Sequence, residues 1–414
     1  MQHTASVIGA GVVGMATARA MQREGFAVTV YDPVPPGDSC SFGNAGHIAT
    51  DHVRPLARFD VLARVPRMLT DRESALVIRW GDIPALLPWF ARFARAARKA
   101  EVARGEAALG ETMPHALPAW RTLLGEAGGS PLLVEKGSMI VYERKAAFDA
   151  SALERTIMRR HGVRLEEITG DEARRRAPGL SPSIVAGVYF PDTAHVVDPH
   201  QVVVRLAEAF VRDGGRIEAA KVQRLVLRDG RIATLATDAG DRDAGAWVAL
   251  CGGVDSALLL QPLGVKAPLT SERGYHLMLE GLQAGFDIPI SSGERAFVLT
   301  PMAKGLRLAG TVEFGRRDSP PDWYRADRLL TQAKVLFPDL APGPTSRWMG
   351  RRPTQPDFRP SIGRVPRVDN LLVGFGHNHL GLTLAAVTGL TLASLAMQRR
   401  AAIPLEPFAV ERFG

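Results

Sequence analysis

Residues His3 to Asp32 read "HTASVIGAGVVGMATARAMQREGFAVTVYD", and their order decides the fold. An apolar run, Ala5 to Ile8, breaks into Gly9-Ala10-Gly11-Val12-Val13-Gly14. Apolar positions then recur at helical spacing from Val13 to Met21, Gly25 stops that helix, and Ala27 to Tyr31 is rich in β-forming residues. Strand, glycine turn, helix and strand make a βαβ unit. Such a glycine turn lets the backbone approach a pyrophosphate, whose charge is met by the N-terminus of the helix. Asp32 closes the second strand at about the spacing expected of a carboxylate that accepts hydrogen bonds from ribose hydroxyls. Gly9, Gly11, Val12, Val13, Gly14 and Asp32 are therefore candidates for holding a dinucleotide, with a merely structural glycine turn as the plain alternative.

The motif alone does not separate a nicotinamide dinucleotide from FAD. A nicotinamide enzyme would continue into further alternating strands and helices, whereas here the chain runs into "DSCSFGNAGHIA", Asp38 to Ala49. That stretch is dense in small residues and backbone donors, as a loop wrapping more of a long cofactor would be. From Pro55 to about Pro118 the texture is arginine- and alanine-rich helix. Asp198-Pro199 then opens a helix that Gly214-Gly215 ends, Asp229-Gly230 turns a hairpin, and "AWVALCGG" is a short buried strand. Antiparallel strands follow in "APLTSERGYHLMLE" and "RAFVLTPMAKGLRLAGTVEFG", then a helix in "PDWYRADRLLTQAKVLFP". "NLLVGFG" is a strand feeding "GFGHNHLGLT", after which a last helix runs to about Met397. The expected class is α/β, α+β overall. A Rossmann-like dinucleotide-binding domain is assembled from discontinuous segments, residues 1–55, 190–262 and 345–414. A mixed antiparallel-sheet and helix substrate domain comes from residues 56–189 and 263–344.

The 414 residues, 46% of them hydrophobic, suffice for a large core in two or more units. The net charge of +8 is mostly arginine spread along the chain, with no clustered basic stripe, so no nucleic-acid partner is expected. Cys40 and Cys251 stand in unlike contexts without CxxC spacing, which argues against a disulfide framework or zinc cluster and for a reducing, cytoplasmic setting. No Lys or Arg precedes the first apolar run, so it does not read as a signal peptide. Leu380 to Met397 is uncharged and about long enough to span a bilayer, but its threonines, serine and glycines favour a buried helix. His377 and His379, one residue apart, would face the same way on an extended strand. No further ligand set accompanies them, so no metal is expected.

Several stretches together resemble the FAD-dependent amine-oxidising family that includes D-amino-acid oxidase, glycine oxidase and sarcosine oxidase, and most of all its D-amino-acid dehydrogenase branch. They are the glycine turn with Asp32, "SFGNAGHI" (Ser41–Ile48), "VDPH" (Val197–His200), "VALCGGVDS" (Val248–Ser256), "RGYH" (Arg273–His276), "GRRPTQPDFRPSIG" (Gly350–Gly363) and "GFGHNHLGLT" (Gly374–Thr383), in the family's order over most of the chain. The resemblance implies non-covalent FAD lying along Ser41, Asn44, Ala45, Gly46, His47 and Ile48. Val222 would lie near the adenine, Gly252 beside the pyrophosphate, and Gly376, Leu380, Gly381 and Thr383 close to the isoalloxazine. It also implies that the substrate carboxylate is gripped by the arginine before a proline, here Arg352 ahead of Pro353, with a structural ion pair as its plain alternative. Tyr275 would lie on the substrate side or simply pack in a sheet, and His379 is the more idiosyncratic histidine, facing substrate. Cys40, Cys251 and the pair Val254-Asp255 depart from the family's usual residues, so pyrophosphate-side contacts differ in detail.

The implied reaction is oxidation of the Cα–N bond of an amino acid, with the Cα hydrogen leaving as hydride for flavin N5. The N-terminus of the last helix would point its dipole at the pyrimidine end of the flavin. The dehydrogenase branch implies electrons leaving to a quinone or another carrier. "GHIATDHVRPLA" (Gly46–Ala57) is similar to members acting on D-proline and hydroxylated D-proline. The basic helical stretch Leu86 to Lys99 would then serve as a peripheral contact with the inner face of the cytoplasmic membrane, or be a plain surface helix. An oxygen-using amine oxidase, a nicotinamide dehydrogenase and a flavin electron-relay subunit are the rival readings.

Overall fold

The computed structural model describes residues 3–63, 74–315 and 319–413. Residues 64–73 of the helical stretch expected after Pro55 lie outside them. Among the described residues a six-stranded sheet runs in the order Arg216–Glu218, Ala27–Tyr31, Thr4–Ile8, Trp247–Leu250, Leu371–Phe375, Ser361–Arg364. The first five strands are parallel and Ser361–Arg364 closes the edge antiparallel. The first helix spans Val12–Arg23, between the two strands read from the sequence. Its alanines and methionines pack against the last helix, Gly381–Ala396, so closely that a Cβ on Gly389 would sit 2.6 Å from the carbonyl oxygen of Ala16. This contact explains why the last helix is apolar nearly all round: all of its residues but Gly381, Leu390 and Ser394 are buried inside the protein.

A nine-stranded, largely antiparallel sheet stands beside the first. Its end strand Thr345–Thr354 pairs with Thr270–Glu280, which pairs in turn with Gly305–Phe314. Thr270–Glu280 is buried along all but its last residue, as a strand covered on both faces must be. A three-stranded sheet carries the hairpin of Val222–Arg228 and Arg231–Thr237, turned by Asp229 at φ 49° and Gly230 at φ 76°. Two positive φ values in succession are the reason for the Asp-Gly pair. Asp198 caps the helix Pro199–Arg212 by accepting from His200 N at 3.0 Å and Gln201 N at 3.1 Å.

Two segments lie elsewhere than their sequence neighbourhood implied. Thr345–Thr354, grouped with the dinucleotide unit, belongs to the nine-stranded sheet. The helix Ala116–Glu126, grouped with the other unit, packs on the last helix, where Trp120 Nε1 donates to Leu382 O at 2.8 Å. In both cases long-range pairing overrides position along the chain.

Candidate active site

The two sheets meet at a cavity of about 1690 Å³, lined from one end by the glycine turn and from the other by strands of the large sheet. At the first end Gly9 adopts φ +107°, and a Cβ there would lie 2.5 Å from Cys251 O. Gly14 is pressed on the turn itself, its missing Cβ 1.8 Å from Gly9 O. Only glycine fits either place. Asp32 fixes the turn by accepting from Ala10 N at 2.7 Å and from Val34 N at 3.0 Å, and burial raises its carboxyl above the usual aspartate range. Ser41 Oγ accepts from Val12 N at 3.0 Å, placing the "SFGNAG" loop over the N-terminus of the first helix.

Side chains of the large sheet hold that loop. His276 Nδ1 is 3.0 Å from Gly43 O, and Arg307 Nη1 donates to Asn44 O at 2.6 Å. The indole of Trp348 stacks on His276 and fills the spaces where Gly43 and Gly350 lack side chains. Burial lowers Arg307 to about 10 and His276 to about 3. Arg307 and Trp348 carry no local sequence signal of this role, and His276 stands out only as the end of "RGYH".

Of the cofactor candidates, Gly9, Gly11, Val12, Val13, Asp32, Ser41, Asn44, Ala45, His47, Val222, Gly252, Gly376, Leu380 and Gly381 line the cavity. Gly14, Gly46, Ile48 and Thr383 stand behind its wall. Gly46 carries Val196 N on its carbonyl at 2.7 Å, Ile48 is fully buried in the core, and Thr383 Oγ1 accepts from Ala49 N at 3.1 Å.

At the other end, Glu272 lies directly across the strand pair from Arg352. Glu272 Oε1 accepts from Arg352 Nη1 at 2.8 Å and also from His379 Nε2, while Oε2 accepts from Thr354 Oγ1 at 3.2 Å. Burial would raise this carboxyl, but His379 and Arg352 outweigh it and bring it down to about 2. Arg352 is thus in an ion pair and also lines the cavity. Its Nη1 makes both of its bonds, to Glu272 and to Thr311 O, and its Nε and Nη2 donate to no acceptor among the described residues. The guanidinium lies over Gly274, where a Cβ would meet Nη2 at 2.2 Å.

One alternative is favoured and one expectation is corrected. The ring of Tyr275 borders the cavity, but its hydroxyl donates to Glu313 and accepts from Asp322 N at 3.0 Å, and burial with the Glu313 contact pushes it up to about 12. Of the two alternatives for Tyr275, these bonds to Glu313 and to the loop at Asp322 favour a packed tyrosine whose ring borders the cavity. His377 and His379 do not face the same way. Asn378 at φ 53° turns the chain between them, so His377 Nε2 meets Thr388 Oγ1 at 3.0 Å and His379 Nε2 meets Glu272, although both residues border the cavity. Gln355 fills the space left by Gly376, its Nε2 at 2.1 Å from where a Cβ would stand, and its backbone donates to Asn378 Oδ1 at 2.7 Å.

The helix Ile83–Ala96 turns Leu86, Trp89 and Phe93 inward, with Trp89 Nε1 donating to Thr354 O at 3.3 Å. The apolar face that a membrane contact would use is thereby largely spent on the protein's own core.

A turn that only glycine fits, an amide-bearing helix end, and buried polar atoms without partners at His47 Nε2 and Asn378 Nδ2 all border one cavity of about 1690 Å³. Those features fit an extended dinucleotide better than a small ligand. Residues 5–395 match the model of the family described as FAD dependent oxidoreductase. A D-amino-acid oxidase of Bradyrhizobium diazoefficiens is 34% identical, the match covering 100% of this chain and 99% of the relative. A D-amino acid dehydrogenase of Paramagnetospirillum magneticum is 32% identical over 98% of each. Among solved structures, glycine oxidase from Geobacillus kaustophilus superposes with a TM-score of 0.77 at 21% identity, covering 99% of both chains. L-proline dehydrogenase from P. horikoshii does so at 0.77 and 18%, covering 100% of this chain and 98% of the other. The chain belongs to the FAD-dependent oxidoreductase family, and is an enzyme of the D-amino-acid oxidase and dehydrogenase type that uses FAD and acts on amino acids.

Proposed function

We propose that the enzyme oxidises the Cα–N bond of a D-amino acid or cyclic imino acid, D-proline or hydroxy-D-proline in particular, and passes the electrons to a quinone or another carrier. The observation that carries this reading is Arg352, whose guanidinium borders the same cavity as the dinucleotide turn and keeps Nε and Nη2 for a carboxylate. FAD, when bound, supplies the two-electron acceptor for the Cα hydrogen. The protein's part is placement. Gly9, Gly11, Val12, Val13 and Gly252 receive the pyrophosphate, and Asp32 the ribose, with Val222 near the adenine. Ser41, Asn44, Ala45 and His47 border the ribityl side, while Gly376, Leu380 and Gly381 present backbone to the ring system. Gly14, Gly46, Ile48 and Thr383 support that wall. Arg352 fixes the substrate carboxylate and so aims Cα.

FAD is held without a covalent bond in this reading. Burial raises the thiols of Cys40 to about 11 and Cys251 to about 12, which disfavours the thiolate that a flavin–cysteine bond would need. The enzyme works in the cytoplasm, and Leu87 with Arg92 and Arg95 on the exposed face of Ile83–Ala96 supports a peripheral membrane contact through charge more than through apolar burial. A second reading, direct use of oxygen, is favoured by the 34% identical relative named as an oxidase.

Anaerobic addition of D- and L-amino acids, D-proline, hydroxy-D-proline, glycine and sarcosine to the yellow holoenzyme tests the proposal. Bleaching by the D-series or the cyclic D-imino acids is expected; bleaching confined to glycine and sarcosine would move the assignment to the amine oxidases. Aerobic peroxide formation matching substrate consumption would replace the carrier with oxygen.

A further inference from the structure

We infer that His379, positioned by Glu272, is the base that takes the proton of the substrate ammonium group as the amino acid settles onto Arg352. The inference rests on the amino-acid-oxidising reading above. An α-amino acid in neutral water carries its nitrogen as ammonium, whereas loss of the Cα hydrogen as hydride needs the nitrogen lone pair to form C=N. One N–H bond must therefore break first, its electron pair staying on nitrogen and its proton forming a new N–H bond elsewhere. No oxidant or reductant is consumed in that transfer.

His379 is placed to receive it. Its Nε2 bonds Glu272 Oε1, so in the neutral ring the proton stands on Nε2 and the lone pair of Nδ1 is left for the substrate nitrogen. Nδ1 has no hydrogen-bond partner among the described residues, and the side chain, 35% exposed, lines the cavity. The oxygen that holds His379 is the one that holds Arg352 Nη1 at 2.8 Å. In an α-amino acid the carboxylate and the nitrogen hang on one carbon, and Glu272 Oε1 draws the guanidinium and the imidazole that would receive them to one point of the cavity wall. The ring is steadied edge-on by Phe358, centroid to centroid 6.0 Å.

The facing charges are those of Glu272 and Arg352, and Arg351, Tyr275, His52 and Arg54 border the same cavity. His377 cannot substitute: it is buried against Thr388 and held down to about 3. His47 is likewise lowered to about 4 by burial, and the Glu272 carboxylate stays ionised throughout the neutral range. Glu272 acts through His379 and Arg352 and is a positioning residue.

The test is the pH profile of kcat/KM for the best D-substrate, measured on holoenzymes whose flavin spectrum and content match the wild type. His379→Gln is expected to lose roughly 100-fold or more at neutral pH. That deficit should close as the pH rises toward the amine's own ionisation, where water has already removed the proton. Glu272→Gln, which keeps the shape but drops the charge, should move the acid limb to lower pH, while His52→Gln should leave the limb in place. Added imidazole should restore part of the neutral-pH rate to His379→Gly, a readout that survives poor behaviour of the glutamine variant. A wild-type profile in His379→Gln, or absence of imidazole rescue together with an unmoved limb in Glu272→Gln, would overturn the assignment. Failure of every amino acid to reduce the wild-type flavin would instead remove the functional reading beneath it.

Discussion

The guanidinium of Arg352 rests on the bare Cα of Gly274, a neighbour on the adjacent strand, and a single added methyl would come within 2.2 Å of its Nη2. Gly274→Ala must therefore displace the fork while leaving the distant dinucleotide turn untouched. We expect about a 100-fold loss of kcat/KM, the cost typical of misplacing a positioning group by an ångström. Flavin content should stay unchanged, and steady-state kinetics with a flavin-to-protein ratio measures both.

Arg352→Lys keeps the charge but loses the planar fork. Loss of one charge-assisted hydrogen bond is worth about 1.5–3 kcal/mol, so KM should rise on the order of 10- to 150-fold with FAD still bound. Unchanged kinetics in this variant would remove Arg352 from the carboxylate site.

Asp32 holds the turn through the amides of Ala10 and Val34 and borders the cavity. Asp32→Ala should weaken FAD binding by roughly 10-fold or more, read by titrating the apoprotein with FAD. Circular dichroism of the apoprotein separates this local loss from unfolding, since the change removes two hydrogen bonds at the end of one strand and no apolar core side chain.

The Glu272 carboxyl is lowered to about 2 from an ordinary 4.5. A depressed folded value means that its stabilisation is fully present above the unfolded value and is lost as pH falls from there toward 2. Acid unfolding followed by circular dichroism should be shallower for Glu272→Gln than for the wild type across that window. Parallel curves would show that the ion pair contributes nothing to the fold.

How much of this was legible in the sequence depends on how local each feature is. The glycine turn, Asp32, the Asp198 cap and the Asp229-Gly230 hairpin all act within a few residues of themselves, and each stands where its spacing placed it. Arg352 could be found only by resemblance to the family. Glu272 is not legible as a site residue although "SER" puts two charges into an otherwise buried strand, because its partners lie 80 and 107 residues away. The histidine pair departs from its expected alignment for a local reason: a positive φ at Asn378 breaks the strand geometry that would align His377 with His379. Tyr275 could not be assigned from its motif, since its partner Glu313 is supplied by the neighbouring strand.

The central claim is that Cα of a D-amino acid is aimed at bound FAD by Arg352. It is tested most directly by rapid anaerobic mixing of the holoenzyme with its best D-substrate, carrying either hydrogen or deuterium at Cα. The account predicts complete flavin bleaching in one turnover, slower with deuterium, and strongly weakened substrate saturation in Arg352→Lys. Bleaching that is insensitive to deuterium and to Arg352→Lys, or no bleaching by any D-amino acid, would contradict it.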